Sequence, residues 1–303
     1  MVVPLLLDLL LWLSPRLGIA SLTERLADFY AQAVAVAQLP EGSETLTEVT
    51  SETMHLLGES VNLLMGLASS SLLHVPLLAA TVALPASERV VQIESGWAAL
   101  ALWLLFGLGG LWLGVLYLEL LARVVPLGGT AKPATLAALL RNTGRHFLRF
   151  AGFVLVAWML FFAVLIPFSM VVGLALMIAP TMGTLLFAML GGLIFVVLIY
   201  LYFVAAAIVL DDLAVMQAIG GSIRIVRTNF FSVLGFVFLV FVIGAGIGAL
   251  LANVAEWQPA GTLAAILLNT YVGTGLAMAL LVFYRSRVLL AVQPAAAQDM
   301  TLG

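Results

Sequence analysis

The sequence predicts an all-α integral membrane protein with about six transmembrane helices and two amphipathic elbow helices on the cytoplasmic side. Of its 303 residues, 64% are hydrophobic and only 9% are charged, and the mean hydropathy is +1.20. Soluble domains carry about 25% charged residues, so most of this chain requires lipid around it. Long apolar runs and a repeated arginine-bearing segment supply the rest of the prediction.

The composition leaves little chemistry for an enzyme. The net charge of −3 is too small to imply a nucleic acid or another strongly charged partner, and the absence of cysteine excludes disulfides and thiolate chemistry. The three histidines, His55, His74 and His146, lack any metal-ligand spacing. No GxSxG or Walker motif occurs. We therefore expect no catalytic site, no metal and no cofactor.

The first 60 residues are predicted to lie at the membrane surface. Val2–Leu13 offers about a dozen apolar residues, whereas a spanning helix needs about 20. Asp8 interrupts this run, and no basic residue precedes it as in a signal peptide. Residues 22–38 have the pattern of an amphipathic helix, and the acidic, serine- and threonine-rich stretch that ends at Glu59 indicates a second polar segment.

Residues 61–303 are predicted to form a polytopic membrane domain. Five runs exceed the spanning length without a charge near the middle: 97–121, 150–179, 183–210, 230–252 and 263–284. A sixth segment, 62–84, is also long enough, although it contains three serines, His74 and Pro76. Neighbouring helices can satisfy such residues in a membrane, so the sequence predicts a span there too.

The distribution of lysine and arginine predicts the orientation. Basic residues concentrate in cytoplasmic loops, and here nine of the twelve occupy two loops and the tail: Arg123, Lys132, Arg141, Arg145, Arg149, Arg224, Arg227, Arg285 and Arg287. Residues 87–96, predicted to lie outside, contain only one basic residue, Arg89. The loops at 179–182 and 253–261 contain none. Both elbows and the C-terminus are therefore predicted to face the cytoplasm of a bacterial cell. The N-terminal 60 residues are cytoplasmic if 62–84 spans the membrane and external if it does not.

One segment occurs twice, 83 residues apart. LRNTGRHFLRFAGFV at 140–154 aligns with IRIVRTNFFSVLGFV at 223–237, with five identities in fifteen positions. Each copy reads as an amphipathic elbow that leads into a pair of spans. A unit of this length is expected for an internal repeat in a membrane fold.

The two elbows are candidate sites for lipid headgroups. Their basic residues are Arg141, Arg145 and Arg149 in the first elbow, and Arg224 and Arg227 in the second. Helices of this kind lie in the membrane interface with their arginines among anionic headgroups, worth about 1 kcal/mol for each basic residue. The alternative is an anchor that only fixes topology and the tilt of the following helix.

Three polar side chains inside predicted spans are candidate functional groups, namely Glu119, His74 and Asn269. Glu119 precedes Arg123 by four residues, so an interfacial ion pair is the simpler interpretation of this carboxylate. Structural hydrogen bonds are the simpler interpretation of His74 and Asn269.

Two further patterns in the spans predict structure rather than chemistry. Gly110 with Gly114, and Gly244 with Gly248, have the GxxxG spacing of close helix packing. The pair Asp211–Asp212 ends a span. Adjacent residues on a helix point about 100° apart, so a metal site is not expected there, and these acids are interpreted as caps of the second elbow.

From Leu118 onward the chain resembles bacterial membrane proteins that bear the glycerophosphoryl diester phosphodiesterase-type membrane domain. The resemblance rests on LELLARVVPLGGTAKPATLAALLRNTGRHFLRFAGF, the helical pair after it, and VLDDLAVMQAIGGSIRIVRTNFFSVLGF. In that family an acid, apolar residues, Ala, Ser, Arg, Asn and Phe open the second elbow, matched here by Asp212, Ala218, Ser222, Arg224, Asn229 and Phe230. The resemblance implies a six-helix membrane fold. It implies no phosphodiesterase activity, since the His-Arg-Gly and acid-rich metal site of the catalytic barrel is not found.

These observations predict a non-enzymatic scaffold or accessory subunit of a membrane complex. Its expected partners are membrane lipids and other membrane protein subunits, and not nucleic acid. The alternative is a small transporter or lipid-handling protein built from two pseudo-symmetric halves. That alternative needs a polar path at the midplane, for which the sequence offers only Asn269, His74 and Ser169.

Overall fold

The computed structural model describes residues 1–36, 43–82, 89–125 and 135–299. The helices of this part of the chain are α1 Val2–Leu13, α2 Ala20–Val36, α3 Ser43–Ser60, α4 Gly96–Ala122, α5 Leu136–Ile178, α6 Pro180–Leu201, α7 Val204–Asp211, α8 Val215–Thr228, α9 Phe230–Ala255 and α10 Ala260–Asp299. Two 3₁₀ helices, Leu63–Leu73 and Leu78–Ala80, and two three-residue parallel strands, β1 Arg16–Gly18 and β2 Val90–Gln92, complete it. The predicted all-α class is confirmed.

Five helices in the described ranges are long and apolar enough to cross a membrane. They are Gly96–Ala122, Leu136–Ile178, Pro180–Asp211 (α6 with α7), Phe230–Ala255 and Ala260–Leu290. The number is six if Glu48–Ser60 and Leu63–Leu73, which are bent by 76° relative to each other, form one broken span. The chain is therefore a multi-pass membrane protein by the length and composition of its helices.

Segment 62–84 does not form the single helix that the sequence predicted. The backbone is a 3₁₀ helix of 11 residues that ends at His74, whose φ of 59° is left-handed. At about 2.0 Å per residue, that helix covers about 22 Å, less than the hydrocarbon core. Pro76, two residues beyond His74, has no N–H to donate and so opposes continuation of an α-helix here. Residues 83 and 84 lie outside the described residues.

The chain divides into two compact units. The first comprises Met1–Gly114 and Gly246–Thr274, and the second comprises Val115–Ala245 and Gly275–Gly303.

In the first unit, glycines of α4 allow the 3₁₀ helix Leu63–Leu73 to approach its backbone closely. A Cβ added at Gly110 would overlap the Leu67 carbonyl oxygen and lie 2.6 Å from Ser69 Oγ. One added at Gly114 would lie 2.8 Å from Leu73 Cδ1. Because real Cβ atoms do not approach so closely, these two positions require glycine in this packing.

The other predicted glycine pair has a different environment. A Cβ at Gly244 or Gly248 on α9 would meet no atom within 4 Å. No described residue packs against these two glycines. Their role in helix packing therefore stays a prediction.

Alanine at Gly110 is expected to destabilise the protein by about 1–3 kcal/mol, because its Cβ would overlap backbone that cannot move independently. Gly107 on the same helix is the matched control, since a Cβ there meets nothing within 4 Å. Gly107→Ala should be neutral, or stabilising by up to about 1 kcal/mol through helix propensity. Thermal unfolding in mild detergent measures both. Equal effects of the two substitutions would contradict the packing described for Gly110.

A buried carboxylate holds α1 in the first unit. Asp8 is fully buried, and its two oxygens accept the N–H groups of Leu78 (2.9 Å) and Ala79 (3.1 Å). These N–H groups begin the 3₁₀ helix Leu78–Ala80 and have no acceptor within it. Apolar residues of α1 also pack on a core formed by Leu78, Leu251, Ala255, Ala265 and Ile266. Burial raises the pKa of Asp8 to about 6, against the opposing effect of the two backbone hydrogen bonds.

The stability of the protein should therefore depend on pH through Asp8. Its pKa is about 6 in the folded state and 3.8 ordinarily, so the folded chain holds this proton more tightly than the unfolded chain does. The contribution to stability is fully present below about pH 3.8 and is lost as the pH rises through about 6. Between pH 5 and pH 7.5 the expected loss is about 1 kcal/mol. Unfolding of wild type and Asp8→Asn at both pH values measures it, and an unchanged pH dependence in the variant would refute the assignment.

In the second unit, α5 carries the first elbow and the following span as one helix. It begins after Thr135, whose Oγ1 accepts the N–H of Ala138 (3.4 Å), and continues for 43 residues. At 1.5 Å per residue that is about 64 Å, twice the hydrocarbon thickness. The first elbow is thus an extension of its span rather than the separate helix that was predicted, because neither proline nor a cap interrupts 136–150. The second elbow, α8, is separate from α9, with Asn229 between them.

Some buried positions of the two elbows and of the starts of their spans correspond, although buried Ala138 and His146 have half-buried counterparts in Gly221 and Asn229. Buried side chains of α5 include Leu139, Thr143 and Phe150, and the residues 83 positions later, Ser222, Val226 and Val233, are also buried. An internal repeat would produce this correspondence. The repeat itself stays a prediction.

Candidate functional site

Among the described residues of the second unit, the most highly connected polar group lies at the end of α7. Asp211 is the last residue of α7, and Asp212 follows with a left-handed φ of 54°. This change of backbone direction turns the two adjacent carboxylates toward different helices. We name the surrounding set the Asp211–Asp212 cluster: Glu119, Arg145, His146, Arg149, Asp211, Asp212, Tyr284 and Arg285.

Asp212 holds the beginning of α5. Arg145 Nη2 donates to Asp212 Oδ2 (2.7 Å), and Arg149 Nη1 donates both to Oδ1 (2.5 Å) and to the Asp212 carbonyl oxygen (2.7 Å). Desolvation raises the pKa of Asp212, but the hydrogen bonds from His146 and Arg149 and the charges of both arginines outweigh it, so the pKa lies below its ordinary value. Asp212 is therefore an ionised acceptor for two arginines of one helix.

His146 connects Asp212 to a carboxylate in a membrane helix. Its Nε2 lies 2.9 Å from Asp212 Oδ1, and its Nδ1 contacts Glu119 Oε1 of α4. The His146 side chain is 2% exposed and the Glu119 side chain is fully buried. Glu119 thus lies against an imidazole from α5. Its predicted interfacial pairing with Arg123 stays a prediction.

Asp211 holds α10. The Tyr284 hydroxyl donates to Asp211 Oδ2 (2.6 Å) and Arg285 Nη1 donates to Oδ1 (2.8 Å). Stacked aromatic rings beside this contact keep α10 in register: Phe283 has its centroid 5.7 Å from that of Phe203 and 4.5 Å from that of Phe236. The two aspartates together tie α7 to α5 and to α10.

Ser222 fixes α8 to the junction between α6 and α7. Its hydroxyl donates to the Tyr200 carbonyl (2.6 Å) and accepts the N–H of Phe203 (3.2 Å). Both backbone groups lie where the helix is interrupted. The serine therefore satisfies a donor and an acceptor that the interruption leaves without partners in the helix. The second elbow therefore joins the same assembly as Asp212.

The predicted headgroup arginines fall into two sets. Arg145 and Arg149 bind Asp212. Arg141, Arg224 and Arg227 are exposed and form no ion pair with a described carboxylate. Arg224 and Arg227 line an open cavity of about 410 Å³ on α8, together with Gly220, Ile223 and Thr228.

The three intramembrane candidates fall in different units. His74 ends the 3₁₀ helix Leu63–Leu73 and Asn269 lies on α10, both in the first unit, whereas Glu119 belongs to the second. Asn269 Nδ2 is buried without a hydrogen-bond partner in the described ranges. The interhelical hydrogen bond expected for Asn269 therefore stays a prediction.

Sequence reasoning missed the partners of the aspartates. It considered His146 only as a metal ligand and Asp211–Asp212 only as helix caps. One signal was present: the spacing of Thr143, His146 and Phe150 places His146 on one helix face with an apolar ring, where a buried imidazole needs a partner.

Within the described residues, no three histidine, aspartate or glutamate side chains are arranged to hold a metal ion.

Comparison with known proteins adds no relative. No family model matches the chain, and no curated protein and no solved structure matches it.

Proposed function

We propose that the protein is a non-enzymatic accessory or scaffold subunit of a complex in a bacterial plasma membrane. The observation that carries this proposal is how little of its apolar helices the chain itself covers. In the most apolar stretch of α5 only 6% of the residues are buried, and the same share applies to α9, against 44% for α6 with α7. These surfaces face lipid or another subunit.

An aromatic patch on α5 favours a protein partner over lipid alone. The Trp158 ring stacks on Phe162 with centroids 5.3 Å apart and meets Phe161 edge-on at 5.8 Å. Trp158 is nevertheless 51% exposed and Phe162 47% exposed. Helix association in lipid depends on packing rather than on hydrophobicity. Because these rings already pack against one another, they lose little conformational entropy when another protein binds them.

Site-specific photocrosslinking in the membrane tests this role. A photoreactive residue at Met159, beside the aromatic patch and 66% exposed, is expected to yield one discrete protein adduct. Leu105 on α4, 63% exposed, is the control and is expected to yield lipid adducts only. The adduct should co-purify in stoichiometric amount in mild detergent. Lipid adducts alone at both positions would contradict an accessory subunit.

We further propose that α8 is the elbow that binds anionic lipid headgroups on the cytoplasmic leaflet. Its support is a difference in ion pairing. No carboxylate of the described residues contacts Arg224 or Arg227, which line the 410 Å³ cavity, whereas Arg145 and Arg149 both form ion pairs with Asp212. Two exposed guanidinium groups on one helix face suit a phosphate ester.

Lipid retention tests the assignment to α8. At about 1 kcal/mol for each basic residue, replacing Arg224 and Arg227 together by glutamine should weaken phosphatidylglycerol binding at least about 10-fold. Native mass spectrometry of the full chain in phosphatidylglycerol and phosphatidylcholine measures it. Arg141→Gln removes an exposed arginine from the other elbow and should have a smaller effect. Equal losses in both variants, or no preference for the anionic lipid, would overturn the assignment.

A further inference from the structure

Three side chains of the second unit form a continuous chain from the protein surface to a fully buried carboxylate. The side chain of Asp212 is 48% exposed, that of His146 is 2% exposed and that of Glu119 is 0% exposed. The imidazole lies between the carboxylates, with Nε2 at 2.9 Å from Asp212 Oδ1 and with Nδ1 against Glu119 Oε1. Each ring nitrogen thus meets an acceptor.

The number of protons in this group follows from the chemistry of imidazole. A neutral imidazole carries one ring proton and one lone pair. If both carboxylates were ionised, one ring nitrogen would donate a hydrogen bond. The other would place its lone pair against a carboxylate oxygen, which also carries lone pairs. Such a contact is costly for buried groups. Both contacts are favourable only if the three groups hold one proton more.

We propose that Glu119, His146 and Asp212 form a proton-binding site that retains one extra proton at neutral pH and exchanges it with water through Asp212. This site is separate from the accessory role and from the headgroup site on α8. Its ligand is the proton itself, and no electron transfer is involved.

The neighbouring charges direct the extra proton inward. Arg145 and Arg149 of α5 face Asp212 and hold its pKa below the ordinary value, so the proton rests on His146 or Glu119. Asp211 of α7 is engaged by Tyr284 and Arg285 of α10. On α4, Arg123 follows Glu119 by one helical turn.

Uptake of the extra proton along the chain balances in three transfers. A proton taken from water by Asp212 Oδ1 passes to the lone pair on His146 Nε2, which gives an imidazolium. The Nδ1–H bond then breaks as the proton passes to Glu119 Oε1. One proton has entered at Asp212 and one rests on Glu119, while the imidazole is again neutral with its proton on Nε2.

The test is nuclear magnetic resonance of the full chain in lipid bilayers, with ¹⁵N-histidine and ¹³C-glutamate labels. The chain has three histidines, and loss of one signal in His146→Gln assigns His146. At about pH 8, where an exposed imidazole is neutral, wild type should show either a doubly protonated His146 or a protonated Glu119 carboxyl. A neutral His146 with an ionised Glu119 at that pH overturns the proposal.

Variants test the path through Asp212. In Glu119→Gln the extra proton should be absent and His146 neutral at about pH 8. In Asp212→Asn, exchange of the retained proton with water should slow at least about 10-fold while Glu119 stays intact. His55, exposed on α3, is the control site, and His55→Gln should change neither result. Unchanged exchange in Asp212→Asn would reject Asp212 as the entry point, and the wild-type spectrum decides the extra proton even if a variant does not fold.

Discussion

Asparagine in place of Asp212 is expected to destabilise the protein by about 2 kcal/mol, because one substitution removes the charge that Arg145 and Arg149 of α5 share. The substitution isolates the charge: the amide keeps one oxygen acceptor, and asparagine tolerates the left-handed φ of 54°. The side chain is 48% exposed, so solvent screening keeps the effect below the 3–5 kcal/mol typical of a broken buried pair. Thermal unfolding in mild detergent measures it.

Glu256→Gln is the matched control for this prediction. Glu256 is an exposed carboxylate whose side chain makes no ion pair with a described residue, so its loss should change stability by less than about 0.5 kcal/mol. If Asp212→Asn and Glu256→Gln lower the unfolding temperature equally, the cluster does not hold the second unit together.

Alanine in place of Asp211 is expected to cost about 3 kcal/mol, because Arg285 and the hydroxyl of Tyr284 lose their acceptor where little water can replace it. The side chains of Arg285 and Asp211 are 18% and 22% exposed. Tyr284→Phe removes only the hydroxyl and should cost about 1.5 kcal/mol. The double variant should cost about 1 kcal/mol less than the two single effects together. Chemical unfolding of all three variants measures this coupling.

Tyr271→Phe controls for the loss of a hydroxyl on α10. Tyr271 is 67% exposed, so its variant should stay within about 0.5 kcal/mol of wild type. Full additivity of the Asp211 and Tyr284 substitutions would show that the carboxylate and the hydroxyl are energetically independent, against the 2.6 Å contact.

The spans were predictable because one local property, apolar length, determines them. The predicted run 230–252 corresponds to Phe230–Ala255, and the run 263–284 lies within Ala260–Leu290. Two features depend on more than apolar length. Segment 62–84 forms a 3₁₀ helix whose hydroxyls bond to backbone, for example Ser69 to the Gly107 carbonyl (2.7 Å). The first elbow continues into its span because neither proline nor a cap interrupts 136–150.

The candidate site was predictable in its residues but not in its contacts. Asp211, Asp212, Arg145 and Arg149 were all singled out by their charge beside apolar runs. Their pairing joins residues more than 60 positions apart, and no local spacing encodes such a separation. Arginines at i, i+4 look the same whether they face headgroups or a carboxylate of another helix. The tertiary fold decides between these possibilities.

The central claim is that both elbows lie on one side of the membrane, where Asp212 joins α5 to the segment that leads into α8. The chain contains no cysteine, so single cysteines at exposed Arg141, Arg224 and Gln258 can be labelled with a membrane-impermeant maleimide in intact cells and in inverted vesicles. Arg141→Cys and Arg224→Cys should react only in inverted vesicles, and Gln258→Cys, in the loop between α9 and α10, only in intact cells. Labelling of positions 141 and 224 from opposite sides would contradict the claim.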